Sequence, residues 1–273
     1  MWQLLRVIVG RKFMNKGIER AFSKGKAFIA FVTSGDPDLE TTEEIVYAMG
    51  RAGCDLIELG IPFSDPTAEG PVIQEANVRA LSNGVTTDKV FEMISRIRKK
   101  TDIPMVFMTY ANVVYSYGIE KFCKKMAERN MSGMILPDVP YEEKEEFDSV
   151  CKEYGLDLIS MIAPTSHERI QMIAKEANGF IYCVSSLGVT GVRSKITTNI
   201  SSMVKLVREV TDVPVAVGFG ISTPEQAYKM AKQSDGAIVG SAIIKIIEKY
   251  KKEAPTYVEA YVRDMVKALE SCE

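Results

Sequence analysis

The feature that most constrains this chain is a regular alternation from residue 27 onward, in which short β-rich runs give way to amphipathic helical stretches and then return. Residues 27–33, 55–59, 104–109, 133–136, 156–162, 179–184, 213–217 and 236–239 read as strands. Residues 41–51, 89–99, 141–154, 167–177, 201–210 and 224–233 carry apolar side chains at helical spacing, with charge on the remaining positions. Such alternation builds βα units around a parallel sheet. Eight units close a barrel, so the expected fold is α/β, a single (βα)8 TIM barrel. A length of 273 residues with 46% apolar content suits one large core of that kind better than two small domains.

The net charge of −2 gives no electrostatic reason to expect nucleic acid or a membrane surface as partner. The five cysteines are odd in number, widely spaced and outside any Cys-x-x-Cys pattern, which fits a reducing, cytoplasmic location rather than a disulfide framework or a thiolate metal site. His167 is the only histidine. No metal site of several histidines can be built, and the polar run around His167 reads as a solvated helix start. Residues 1–13 are apolar with scattered basic groups, too short to span a bilayer and without a small-residue cleavage site. They are expected to be an appended segment ahead of one domain covering residues 14–273.

The chemistry concentrates in residues 56–74, LIELGIPFSDPTAEGPVIQ, which place Glu58 near the end of the second strand and Glu69 in the loop after it. Barrels of this kind collect reacting groups on the loops after the carboxyl ends of their strands. If Ile57 and Leu59 face the helices, alternation turns Glu58 into the barrel. There a carboxyl group loses hydration, its pKa rises, and it can act as acid in one step and base in another. The alternative reading of Glu58 from its position alone is an acid paired with a buried Lys or Arg. A second constellation follows the last three strands: Gly188 to Gly191, Gly218 to Ser222, and Gly240-Ser241 opening a helix. Glycines let backbone N–H groups approach an anion, and a helix start directs its positive end at it, so these turns are expected to bind phosphate through Gly191, Gly220, Gly240 and Ser241.

The segment around Glu58 and Glu69 closely resembles the signature of tryptophan synthase alpha chains. So do Ala30-Phe31-Val32-Thr33-Ser34-Gly35-Asp36-Pro37, Thr109-Tyr110-Ala111-Asn112, Asp138-Val139-Pro140 and Ala163-Pro164-Thr165. The similarity runs from about Met14, where the sequence resembles the usual start of such chains, to at least Lys252. It implies the barrel with an extra N-terminal helix. Where the family pattern commonly reads Ala-Asp-Gly, this chain reads Ala68-Glu69-Gly70. Thr67, at a position where many members carry leucine, is expected to let the loop retract around the longer acid. Ser186 and Leu187 also depart from an arginine and a small residue seen in some members, which bears on closure of the sixth loop.

The resemblance implies a cofactor-free retro-aldol cleavage of indole-3-glycerol phosphate to indole and glyceraldehyde 3-phosphate. Glu58 would move protons at indole C3 and at the glyceryl hydroxyl, and Glu69 would hold the indole N–H. Tyr182 matches the tyrosine beside the catalytic glutamate, while Phe31, Tyr110, Thr190 and Phe219 match pocket positions. The composition agrees with acid-base chemistry: none of the candidate strands contains the Lys of a Schiff-base aldolase, and one His cannot serve a metal aldolase. The family further implies a beta-chain partner in an alpha2beta2 assembly. Pyridoxal phosphate belongs to that partner only, and Pro62, Asp65, Asn112, Asp138 and Pro140 match positions near the partner-facing rim. The alternative function is a weakly catalytic or non-catalytic allosteric activator of the beta chain.

Overall fold

The computed structural model describes residues 14–184, 200–218 and 220–272. Residues 1–13, Ser186, Leu187, Thr190, Gly191 and Phe219 therefore lie outside the described residues. Eight strands pair in chain order, all parallel, and the last closes onto the first. They are β1 (Ala27–Thr33), β2 (Leu56–Gly60), β3 (Met105–Met108), β4 (Gly133–Ile135), β5 (Asp157–Ile162), β6 (Asn178–Val184), β7 (Val215–Gly218) and β8 (Gly236–Val239). Nearly every strand residue is buried, because the helix layer covers the outer face and side chains fill the interior.

The helices are α1 (Lys16–Ala21), α2 (Leu39–Arg51), α3 (Pro71–Ser82), α4 (Thr87–Ile97), α5 (Ala111–Tyr117), α6 (Ile119–Ala127), α7 (Glu145–Glu153), α8 (His167–Glu176), α9 (Ile200–Arg208), α10 (Pro224–Ala231), α11 (Ser241–Tyr250) and α12 (Ala254–Glu270). Their starts follow local chemistry. Asp38, Thr86, Ser166 and Thr223 accept backbone N–H groups of the first turns of α2, α4, α8 and α10, and Gln226 completes a capping box with Thr223. The extra N-terminal helix is α1, which docks on the amino-terminal end of the barrel. There the Asn15 N–H donates to Asp157 Oδ2 at 2.8 Å and the Asn15 amide donates to the Gly155 carbonyl at 2.8 Å.

Most element ends fall within two residues of the expected ones, and three of the differences have a clear local cause. β2 begins at Leu56 rather than Asp55, whose carboxylate instead accepts the Phe28 N–H at 2.9 Å. β7 is displaced toward its carboxyl end because Pro214 has no N–H to give to a ladder. The helix expected over 141–154 is broken into a tight turn at Tyr141–Glu143, whose Glu143 N–H returns to the Pro140 carbonyl, and then α7.

Barrel closure leaves no room beside Gly133, where a Cβ would stand 2.1 Å from the Asp157 carbonyl oxygen of the neighbouring strand. Backbone cannot retreat from that contact without breaking the β4–β5 pairing. Gly133→Ala is expected to destabilise the protein by at least about 3 kcal/mol, read as a fall in Tm or loss of soluble protein. A Tm unchanged within a degree or so would contradict this packing.

Candidate active site at the carboxyl ends of the strands

β2 carries Glu58 at its centre, in register with Phe31 of β1 and Val106 of β3, so the three side chains share one face of the pleat. That face is the barrel interior. The Glu58 charge raises the pKa of Tyr182 on β6, which stands four strands away and is reachable only across the lumen. Glu58 has 0% of its surface exposed, and neither carboxyl oxygen has a hydrogen-bond partner among the described residues. No described Lys or Arg pairs with it. Burial alone pushes its pKa up to about 8, so the group is mostly protonated at neutral pH.

The aromatic side chains around it occupy space that glycine leaves. A Cβ on Gly60 would lie 2.8 Å from the Phe31 ring, and one on Gly218 would lie 2.5 Å from the Tyr182 hydroxyl oxygen. The carboxyl ends of β2 and β7 are thus shaped to hold Phe31 and Tyr182 against bare backbone, and both rings are buried. Burial first, and the Glu58 charge second, hold the Tyr182 phenol well above its usual pKa and keep it in the hydroxyl form. The Thr33 and Thr109 hydroxyls at the ends of β1 and β3 are buried without a partner among the described residues.

Glu69 enters from the loop between β2 and α3. Its side chain is 5% exposed, and Oε2 accepts a hydrogen bond from the Asn77 amide at 2.7 Å. Burial raises its pKa to about 7, with the Asn77 bond acting in the opposite direction. The loop backbone is tethered as well: the Ala68 N–H donates to the Tyr110 hydroxyl at 3.1 Å, and the Gln74 amide donates to the Glu69 carbonyl at 2.7 Å. Tyr110 lies at the start of α5, its ring 5.3 Å from that of Phe63 and its pKa raised by burial and by the Glu69 charge. Thr67 is exposed, and what engages the longer acid is Asn77.

Of the expected phosphate-binding groups, Gly220 adopts a φ of +81°, a conformation suited to glycine. The turn that follows is held by the Tyr261 hydroxyl, which donates to the Ser222 carbonyl at 2.9 Å. Gly240 caps α11 without any side-chain acceptor for the first-turn N–H groups, and Ser241 is the first residue of that helix. Thr190, Gly191 and Phe219 are not among the described residues. Sequence reasoning missed Asn77 and the Asp36–Arg79 pair. Arg79 of α3 donates two 2.8 Å bonds to the buried carboxylate of Asp36, tying the β1–α2 loop to the helix that carries Asn77. The available signal for Asn77 was a polar residue among Ile73, Ala76 and Ala80 on the buried side of α3.

The sequence pattern of the tryptophan synthase alpha chain matches residues 19–271. The chain belongs to the tryptophan synthase alpha chain family. It is 49% identical over 250 residues to the tryptophan synthase alpha chain of Lactiplantibacillus plantarum, covering 91% of this chain and 94% of that one. The relative from Lacticaseibacillus casei is 46% identical over 250 residues, with 92% and 94% covered. Among solved structures, tryptophan synthase subunit alpha from Legionella pneumophila superposes with a TM-score of 0.85 at 36% identity, over 94% of this chain and 99% of that one. A structure from the tryptophan synthase α2β2 complex of Pyrococcus furiosus superposes with a TM-score of 0.82 at 31% identity, over 94% and 100%. Family membership and the interior position of Glu58 thus rest on independent observations.

A buried carboxyl with a raised pKa contributes stability that is complete below the ordinary carboxylate range and is lost as pH rises through about 8. Glu58→Gln is therefore expected to melt close to the parent at pH 5. At pH 9 it should melt higher, by roughly 5 °C. A constant difference between the two melting curves from pH 5 to 9 would show that Glu58 is not desolvated as described.

Proposed function

We propose that this chain is the lyase subunit of a tryptophan synthase, cleaving indole-3-glycerol phosphate to indole and glyceraldehyde 3-phosphate in the last stage of L-tryptophan formation. The observation that carries the reading is the pair of carboxyl groups at the barrel mouth, one fully desolvated and apolar in its surroundings, the other tied to an amide donor. In the first step protonated Glu58 gives its proton to indole C3, and the resulting cationic indolenine is stabilised at its N–H by the Glu69 carboxylate. Ionised Glu58 then removes the proton of the glyceryl hydroxyl adjacent to C3. The carbon-carbon bond breaks, its electron pair restores the indole, the hydroxyl carbon becomes the aldehyde, and Glu58 ends protonated as it began.

Tyr182, across the lumen from Glu58, limits water at the proton-transfer site, and Phe31 and Tyr110 face the indole; the family resemblance assigns Thr190 and Phe219 to the same role. The substrate phosphate takes the backbone N–H groups around Gly191, Gly220, Gly240 and Ser241. The chemistry uses no cofactor in this chain. A tryptophan synthase beta chain carrying pyridoxal phosphate completes an alpha2beta2 assembly. The exposed side chains of Asp65, Asn112, Asp138 and Pro140 at the carboxyl end of the barrel support a rim for that partner, with the buried Pro62 beneath. Asp138 also accepts the Ala111 N–H at 3.0 Å, fixing the start of α5 in that rim. Among the described residues no helix is long and apolar enough to cross a membrane. The odd, widely spaced cysteines support a reducing, cytoplasmic location.

The first step needs Glu69 ionised and Glu58 protonated, so kcat/KM is expected to rise with pH through about 7 and fall through about 8. A profile that climbs steadily to pH 9 would contradict the assignment of Glu58 as the acid. Glu58→Gln is expected to lower the release of glyceraldehyde 3-phosphate by about 10²- to 10⁴-fold. No release from the parent chain, alone or with a beta chain, would overturn the lyase reading.

A further inference from the structure

Glu69 reaches Asn77 across eight residues and two turns of helix, and this 2.7 Å bond between Nδ2 and Oε2 is buried at both ends. No other side-chain donor bonds to the Glu69 carboxylate among the described residues, whereas three contacts hold the backbone around it. These are the Gln74 amide on the Glu69 carbonyl, the Tyr110 hydroxyl under the Ala68 N–H, and the Glu69 N–H on the Pro66 carbonyl. The loop therefore has little freedom to carry the acid toward or away from the pocket, and the position of the carboxylate is set by side-chain torsions. A glutamate has one more torsion than an aspartate to be fixed. Asn77 is the group that fixes it.

We infer that Asn77 is the positioning residue for Glu69: its amide holds the carboxylate at one oxygen and leaves the other oxygen to take the indole N–H. The inference rests on the lyase reading for the indole but not for the Asn77–Glu69 contact. α3 is a firm base for such a role. Arg79, on the same helix, is anchored by two 2.8 Å bonds to the buried Asp36, and Pro71 stands in its first turn. Shortening the acid by one methylene withdraws the carboxylate by up to about 1.5 Å. From this tethered backbone, that carries it out of hydrogen-bond reach of Asn77.

The test measures the Glu69 carboxyl directly and the turnover separately, in the full chain. In ¹³C NMR of the glutamate-labelled protein, with Glu69 assigned by its loss in Glu69→Asp, Asn77→Ala is expected to move the Glu69 midpoint upward, because the amide favours the ionised form. Asn77→Gln, which keeps a donor, is expected to return part of that shift. If Asn77→Ala leaves the midpoint where it stands in the parent, the inference is wrong whatever the turnover. In the lyase assay Asn77→Ala is expected to lower kcat by about 10- to 100-fold, the scale of a misplacement of about 1 Å. The rising limb of the pH profile should move upward with the NMR midpoint. In a Glu69→Asp background the same substitution should change kcat less than threefold or so, since the Asn77 bond through which the two residues are coupled is already lost there. An equal loss in both backgrounds would reduce Asn77 to a structural residue. A parent without turnover would sink the lyase reading while the NMR arm still decides the role of Asn77.

Discussion

A carboxyl group inside an apolar barrel, with no cation beside it among the described residues, is an unfavourable thing for a fold to keep, and most of the site follows from how this one is kept. Glu58 lies on a strand whose neighbours on both sides are buried and whose alternation leaves it no direction but inward. Deprived of water, it holds its proton through neutral pH. That makes it an acid at rest and a base once the proton is spent, which is the sequence a retro-aldol cleavage demands. Supporting groups shield the carboxyl rather than neutralise it. Glycines at the ends of β2 and β7 admit the rings of Phe31 and Tyr182, and those rings thicken the apolar wall.

Glu69 meets the opposite need. It also loses water, yet Asn77 offers its carboxylate a hydrogen bond, which pulls its pKa back toward the ionised form and gives it a fixed orientation. Two carboxyl groups of the same type are thereby raised to different extents, because among the described residues one has a donor and the other has none. The glutamate in place of the family's usual aspartate is accommodated by a contact on α3, and the exposed Thr67 plays no visible part in it.

The barrel was legible in the sequence because each strand is a short run fully apolar or nearly so, and the inward direction of Glu58 followed from Ile57 and Leu59 on either side. Edges were less legible. Asp55 leaves the strand to cap the Phe28 N–H, and Pro214 shortens the seventh, both decided by partners on neighbouring elements. Asn77 and the Asp36–Arg79 pair were invisible for the same reason: a polar residue on a helix declares its partner only when the loop it meets is folded against it. The resemblance located Glu69 in the chain, but its hydrogen bond came from tertiary structure.

Everything at the site depends on Glu58 being a carboxylic acid held neutral by desolvation. The most direct measurement is the ¹³C titration of its side-chain carboxyl in the full-length protein without substrate, assigned by the signal lost in Glu58→Gln. A midpoint near pH 8 is expected. A midpoint close to 4.5, the ordinary glutamate value, would mean that water or a cation reaches Glu58 and that the resting acid must be sought elsewhere.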